Sequence, residues 1–237
     1  MNGSIKNHLT TIIIFLLLPV VVLPYGVCYA GNWTDEQIDE MAANAEATVQ
    51  KAYRILWDFR VENGLADLVR DPDSTGILGV EFTPLTTTVG YPESKILSTQ
   101  EGWAGWLVRD LASRDLWLGA KVAVSFSGSF PALNLAVLAA LQEIGANGKG
   151  VCSVVSSMWG ANEVGLSWPE MERLLREEGV LKVGCSAVTI GGSGDRGGEW
   201  QGYAMDLALQ AVKRSRLPLL KPRHLRDAVS KRANLYG

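Results

Sequence analysis

The chain has 237 residues, of which 47% are hydrophobic and 20% are charged, and its formal net charge at pH 7 is −3. This composition predicts one main globular domain with a sizeable core. Because acidic residues slightly outnumber basic ones, it argues against a general nucleic-acid-binding protein.

The first 30 residues predict a signal peptide or a membrane anchor. Lys6 precedes the apolar run 11–23, and small residues fill positions 26–30, as in a cleavable signal peptide. Residues 9–30 are also long enough to cross a bilayer, although Pro19 and Pro24 weaken such a span. Since the basic residue comes before the segment and acidic residues follow it, the rest of the chain is expected outside the cytoplasm. It would be held at the cell membrane or secreted after cleavage.

Residues 31–70 predict a long amphipathic helix and a connector. Thr34 and Gln37 have the spacing of a capping box, and apolar residues recur every three or four positions from Ile38 to Phe59. The helix should end near Asn63 and Gly64. It could connect a membrane segment to the domain, but we favour docking on the sheet.

Residues 71–237 predict an α/β domain. Apolar, β-branched runs alternate with segments of helical periodicity, which favours a doubly wound, mostly parallel, Rossmann-like sheet. The predicted strands are 77–82, 121–126, 151–156 and 182–190, and the predicted helices are 102–116, 131–144, 168–178 and 200–214. The basic stretch from Lys213 predicts a solvated terminal helix with Leu225 and Val229 facing the core; a surface for anionic lipid or a polyanion is the alternative.

Four polar loops follow the predicted strands and should meet at the carboxyl edge of the sheet. They span residues 83–90, 125–129, 156–163 and 191–198. The first follows Glu81, a carboxylate in an apolar run that either faces water or needs a partner such as Lys95. In the last, Asp195 could orient the guanidinium of Arg196 toward an anionic group. These loops are therefore the candidate ligand site.

Several common chemistries lack the residues they need. His224 is the only histidine outside the N-terminal segment, so a Ser-His-Asp triad would require the basic tail to fold back over the sheet. We expect no metal site, because histidine is scarce and the carboxylates have no diagnostic spacing. No motif identifies a cofactor, and the glycine-rich loop does not fit a dinucleotide fingerprint. Cys152 and Cys185 predict buried thiols, and a disulfide between them stays open.

Four separated motifs are informative when they are taken together. They are TGILGVEFTPLTTTVG, VAVSFSGSFPALNLAVLAAL, SSMWGAN followed by SWPEMERLLREEGV, and IGGSGDRGG. In this order they resemble the poly-γ-glutamate system protein family, over a match that runs from about Asp71 to Tyr236. The resemblance implies an accessory component of the synthesis and export of poly-γ-glutamate, an anionic polymer joined through side-chain amides. It implies no established reaction.

The resemblance also implies which positions form the site. Those that match the family pattern are Glu81, Thr86, Thr87, Thr88, Glu93, Lys95, Ser127, Gly128, Ser129, Asn134, Ser157, Trp159, Asn162, Asp195 and Arg196. Two departures concern its periphery: the segment after the YPESK turn differs, and Glu163 stands where an aspartate is expected.

Three functions follow as hypotheses. The first is a membrane-associated accessory protein that binds an anionic γ-glutamyl ligand in the cleft. The second is an exported γ-glutamyl hydrolase or transferase in which Ser127, Ser129 or Thr87 is the nucleophile and Lys95 or Glu81 activates it. The third is a structural partner of the synthase that docks through its long helix and basic tail.

Overall fold

The computed structural model describes residues 33–114, 116–197 and 201–237, together with the backbone of residues 12–15. The predicted signal peptide or anchor otherwise lies outside the described residues, and so does the first position of the predicted helix 200–214. Within the described part of the chain, no helix combines the length and the apolar character that crossing a bilayer requires.

A parallel sheet forms the centre of the α/β domain. Its strands are β2 (Lys121–Phe126), β3 (Asn147–Ser153) and β6 (Cys185–Thr189), and the four residues of β1 (Ile12–Phe15) pair with the outer edge of β2. A small antiparallel ribbon, β4 (Asn162–Glu163) and β5 (Leu166–Ser167), lies apart from it. The α/β class and the parallel pairing are therefore confirmed.

Seven α-helices surround this sheet in the described residues. They are α1 (Asp35–Glu62), α2 (Pro92–Thr99), α3 (Trp103–Ser113), α4 (Pro131–Ile144), α5 (Trp168–Glu177), α6 (Tyr203–Ser215) and α7 (Leu225–Tyr236). The α4 helix is apolar on all sides because it lies between the sheet and the outer helices α1 and α3. Its leucines 135, 138 and 141 are fully buried in the main core.

Helix α1 forms as its sequence predicts. The Thr34 hydroxyl accepts a hydrogen bond from the Gln37 N–H at 3.2 Å, and the Gln37 side chain accepts one from the Thr34 N–H at 2.9 Å. The helix packs on α3 and α4 rather than directly on the sheet. Just before it, the indole N–H of Trp33 donates to the carbonyl of Leu116 at 3.2 Å, which ties the start of the helix to the domain.

Helices lie against both faces of the sheet. Phe126 contacts Trp168 of α5, with their ring centroids 6.2 Å apart. Ser125, the adjacent residue on β2, must point to the opposite face, where its hydroxyl lies 3.0 Å from the Tyr236 hydroxyl of α7. Helix α7 is the predicted terminal helix, but Leu225 and Val229 are 67% and 61% exposed, so the prediction that they face the core was wrong.

Two further predictions need correction. Residues 77–82 form no strand, because their backbone bonds to the side chains of Arg60 and Asn162 and to the backbone of Trp159 rather than to a neighbouring strand. The YPESK segment was read as a turn, and it instead begins helix α2, with Pro92 in the first turn, a position that suits proline. This helix is what brings Lys95 into the protein interior.

Candidate functional site

Three of the four predicted loops meet, and we call residues 78–90, 127–130 and 156–162 the loop cluster. Their backbones bond directly to one another. Thr87 N–H donates to the Ser156 carbonyl at 2.8 Å, Met158 N–H to the Thr88 carbonyl at 2.9 Å, and Ala161 N–H to the Gly128 carbonyl at 2.8 Å. The predicted convergence is therefore present for these three loops.

Glycine is required where the loops touch. A Cβ atom added to Gly79 would lie 1.8 Å from the carbonyl oxygen of Gly160, and one added to Gly128 would lie 2.9 Å from the Ser156 Cβ. Any side chain at Gly79 would therefore force the loops apart. The loop of the IGGSGDRGG motif, in contrast, takes no part in the contacts between these three loops.

Asn162 fixes the geometry of the cluster from inside. It is fully buried, its amide oxygen accepts from Val80 N–H at 3.0 Å, and its amide nitrogen donates to the Val80 carbonyl at 2.7 Å and the Thr86 hydroxyl at 2.9 Å. Asn134 is likewise buried and donates to the Ser127 carbonyl at 2.7 Å. Both amides were predicted to contact a ligand, and here they hold protein backbone.

The other predicted site residues of these loops either bond to protein backbone or face solvent. The Thr87 hydroxyl donates to the Ser156 carbonyl at 3.0 Å. The only hydrogen of this candidate nucleophile is therefore already used in a bond to the backbone. Glu81 and Thr88 are exposed at the surface. Trp159 is half-buried and has a left-handed backbone with φ of 62°, while its N–H donates to Val80 at 2.9 Å.

Lys95 of helix α2 places its ammonium group against the loop cluster, and the residue is only 3% exposed. Its ammonium nitrogen Nζ donates to the Ser157 hydroxyl at 3.0 Å and to the Ser129 carbonyl, and it lies 3.7 Å from the centre of the Phe130 ring. Burial lowers the pKa of Lys95 to about 8, and no carboxylate contributes to that change. Glu81, for which Lys95 was one candidate partner, faces solvent, which was the alternative prediction.

Three serines form a hydrogen-bond network beside Lys95, which includes the backbone N–H of Ser157 as well as hydroxyls. Ser157 N–H donates to the Ser129 hydroxyl oxygen at 3.1 Å, and that oxygen also accepts from the Ser127 hydroxyl at 3.1 Å. Ser127 and Ser129 are half-buried, whereas Ser157 is buried. The half-buried serines of this network are neutral, and the Lys95 ammonium lies on its buried side.

The fourth predicted loop belongs to a different cluster. Asp195 forms a salt bridge of 2.7 Å with Arg232 of α7 and accepts from the Thr189 hydroxyl at 2.7 Å. Desolvation raises its pKa, and Arg232 partly offsets that effect. Arg196 is exposed and donates to the Arg223 carbonyl at 2.9 Å. The predicted Asp195–Arg196 pair is therefore wrong, since each binds another partner.

The basic tail folds back over the sheet, but its histidine does not reach a serine. His224 is exposed and caps α7 by accepting from Asp227 N–H at 3.2 Å. Arg232 and Tyr236 are the tail residues that reach Ser125, at 3.4 and 3.0 Å. A Ser-His-Asp arrangement is therefore absent from this edge in the residues that the structure describes.

Arg60 is the supporting residue that sequence reasoning missed. It is fully buried on α1, and its guanidinium donates to the Gly76 carbonyl at 2.6 Å, to the Leu78 carbonyl at 2.7 Å and to the Glu163 carboxylate. It thereby ties α1 to residues 76–78, where the first segment of the loop cluster begins, and to Glu163, which directly follows the third segment. A signal was present, because Arg60 follows Leu56 by four positions and so falls on the buried stripe of the amphipathic helix.

Comparisons of the chain with protein-family models, with curated proteins and with solved structures found no match in any of the three. The chemistry of the loop cluster therefore carries the functional argument that follows.

Proposed function

We propose that this protein is a membrane-associated, extracytoplasmic accessory component of poly-γ-glutamate synthesis and export, and that its loop cluster binds the γ-glutamyl chain. One observation supports the binding role above all: Lys95 is buried beside serine hydroxyls without a carboxylate partner in the described residues. The doubly wound, Rossmann-like arrangement is part of the proposal, and helices on both faces of a parallel sheet support it.

The ligand class follows from the charges and donors of the cluster. A buried ammonium without an anionic neighbour gains from an added carboxylate, because the attraction is strong where water is scarce. The Ser129 hydroxyl accepts from Ser127 and keeps its own hydrogen, which it can donate to a second carboxylate oxygen or an amide carbonyl. A γ-linked glutamyl unit offers both a free carboxylate and an amide, at one repeat.

The binding test uses the full chain in detergent and short γ-glutamyl oligomers, followed by calorimetry. We expect saturable binding that weakens about 10- to 100-fold in Lys95→Met, which corresponds to the loss of one charged hydrogen bond. Lys121→Met is the matched control, since Lys121 is exposed at the start of β2. Equal affinity in Lys95→Met and the wild type would contradict the binding role of this site.

A second function is favoured by the 3.0 Å distance between Lys95 Nζ and Ser157 Oγ. With a pKa of about 8, part of the Lys95 population is neutral near pH 8 and can accept a proton from the Ser157 hydroxyl. The serine oxygen would attack the γ-amide carbonyl, and the leaving amine would take the proton from Lys95. Water would then hydrolyse the acyl-serine ester. This geometry selects Ser157 over the earlier candidates Ser127, Ser129 and Thr87.

The hydrolase test measures polymer length after incubation with the purified protein. If Ser157 is a nucleophile, the wild type shortens the polymer, the rate rises as pH passes through about 8, and Ser157→Ala is inactive. Ser125→Ala is the control, because Ser125 lies under α7 and outside the loop cluster. Unchanged polymer with the wild type across that pH range would exclude cleavage and leave the binding role.

A further inference from the structure

Two cysteines and a glutamate form a buried cluster outside the loop cluster. Cys152 lies on β3, Glu172 on α5 and Cys185 on β6, and their exposed fractions are 0%, 1% and 2%. A carboxylate oxygen of Glu172 and the two sulfur atoms all lie within 4.8 Å of one another. Both cysteines are free thiols. We call these three residues the Cys–Glu cluster.

The carboxylate of Glu172 is only half satisfied. Its Oε1 atom accepts from the Cys185 N–H at 2.6 Å, which fixes the direction of the side chain. Its Oε2 atom is buried and has no hydrogen-bond partner among the described residues. Leaving a buried carboxylate oxygen without a donor or a cation is costly, so this atom points to a ligand.

We propose that Cys152, Glu172 and Cys185 bind a thiophilic divalent cation, Zn²⁺ by preference. Thiolate sulfur is a soft ligand that favours zinc over magnesium or calcium, and carboxylate oxygen is a common additional zinc ligand. In a tetrahedral site, Zn–S distances of about 2.3 Å and Zn–O distances of about 2.1 Å place the ligand atoms about 3.6–3.8 Å apart. The three ligand atoms lie within 4.8 Å of one another, so zinc would draw them together by up to about 1 Å.

The surroundings suit a cation with three anionic ligands. Two thiolates and a carboxylate exceed the charge of Zn²⁺ by one, and the Arg176 guanidinium lies 3.9 Å from Glu172 Oε1, where it offsets the excess. Glu172 and Cys185 also line an open cleft of about 600 Å³, together with Arg173 and Arg216. The cleft provides an entry path, and a water or an external anion from it can supply the fourth ligand.

This site differs from the expectation of no metal, which rested on the scarcity of histidine. The three ligands come from separate elements, 20 and 13 residues apart along the chain, and so form no short motif. Only the packing of α5 against β3 and β6 brings them together.

The test uses the full chain, purified in detergent with reduced thiols. We expect about one zinc per chain by elemental analysis, and a thiolate-to-metal charge-transfer band when Co²⁺ replaces it. Glu172→Gln and Cys185→Ser should weaken zinc binding about tenfold or more in a competition with a chelator. Glu178→Gln is the matched control, because Glu178 is exposed at the end of the same helix and does not line the cleft. Circular dichroism verifies that each variant is folded.

Two results would overturn the proposal. The first is wild-type protein with reduced thiols that holds less than about a tenth of one zinc per chain and gives no charge-transfer band with Co²⁺. This result does not depend on any variant. The second is a Cys152–Cys185 disulfide, found by mass spectrometry in protein isolated without reductant, since oxidised sulfurs cannot act as thiolate ligands.

Discussion

Replacing Arg60 with methionine should destabilise the protein by about 4 kcal/mol, because removing one member of a buried ion pair typically costs 3–5 kcal/mol. The structure shows why the cost should be in that range. Arg60 is fully buried, and the substitution leaves Glu163 without its cation and the carbonyls of Gly76 and Leu78 without their donor. Methionine retains most of the apolar stem, so the lost polar contacts dominate the effect.

The assay is urea denaturation of the full chain followed by circular dichroism. A loss of about 4 kcal/mol lowers the midpoint by about 1.5 M urea for a domain of this size. Arg54→Met is the control, since Arg54 is exposed on the same helix and should change stability by less than about 0.5 kcal/mol. A cycle with Glu163→Gln measures the coupling, which we expect to be about 1–3 kcal/mol.

The reasoning would be refuted if Arg60→Met lost less than about 1 kcal/mol while the coupling with Glu163→Gln stayed near zero. The connection between α1 and the loop cluster would then be energetically unimportant despite its geometry. Weaker γ-glutamyl binding in Arg60→Met, with Lys95 unchanged, would in contrast show that this connection supports the site.

Three further predictions concern other polar contacts. The pKa of Lys95 is about 8 in the folded chain and higher when unfolded, so the unfolded state binds more protons above pH 8. The free energy of unfolding of the wild type, relative to that of Lys95→Met, should therefore rise by about 2 kcal/mol from pH 7.5 to 9.5 in urea denaturation. A difference that does not change with pH would contradict the argument that burial lowers this pKa. Asp195→Asn removes the charge that pairs with Arg232, so backbone amides of α7 should exchange hydrogen about tenfold faster, while those of α5 stay unchanged. Asn162→Ala leaves the Val80 N–H without a partner, whereas the Val80 carbonyl keeps its bond from the Trp159 N–H, and should cost about 1–3 kcal/mol, seen as a Tm lower by roughly 6 °C; a fall of less than about 2 °C would show that water replaces the amide.

Sequence patterns were informative wherever one segment forms its own element. The bounds of α4 and β2 agree with the prediction, because the apolar periodicity is strong and Pro131 and Gly145 mark the two ends of the helix. The capping box at Thr34 was equally local, and it formed as predicted. Such signals depend only on neighbours within a few positions, so a single sequence contains them.

The site depends on contacts that no local pattern contains. Ser157 meets Lys95 across 62 residues of sequence, and Asp195 meets Arg232 rather than its neighbour Arg196. Residues 77–82 have the composition of a strand, but their backbone bonds to the side chains of Arg60 and Asn162 and to the backbone of Trp159. Convergence of three loops could be predicted from the parallel topology, whereas the partner of each side chain could not.

If the apolar N-terminal segment stays in a bilayer, with Ile12–Phe15 released from the edge of β2, the bond between Trp33 and Leu116 limits how far the domain can move. Only three peptide steps separate Ala30 from Trp33, and they span at most about 11 Å when fully extended. The domain would then keep the start of α1 within about 11 Å of the lipid headgroups. A polymer chain emerging from the membrane would meet it at once, whereas a free chain in bulk solution would have to diffuse to the surface first.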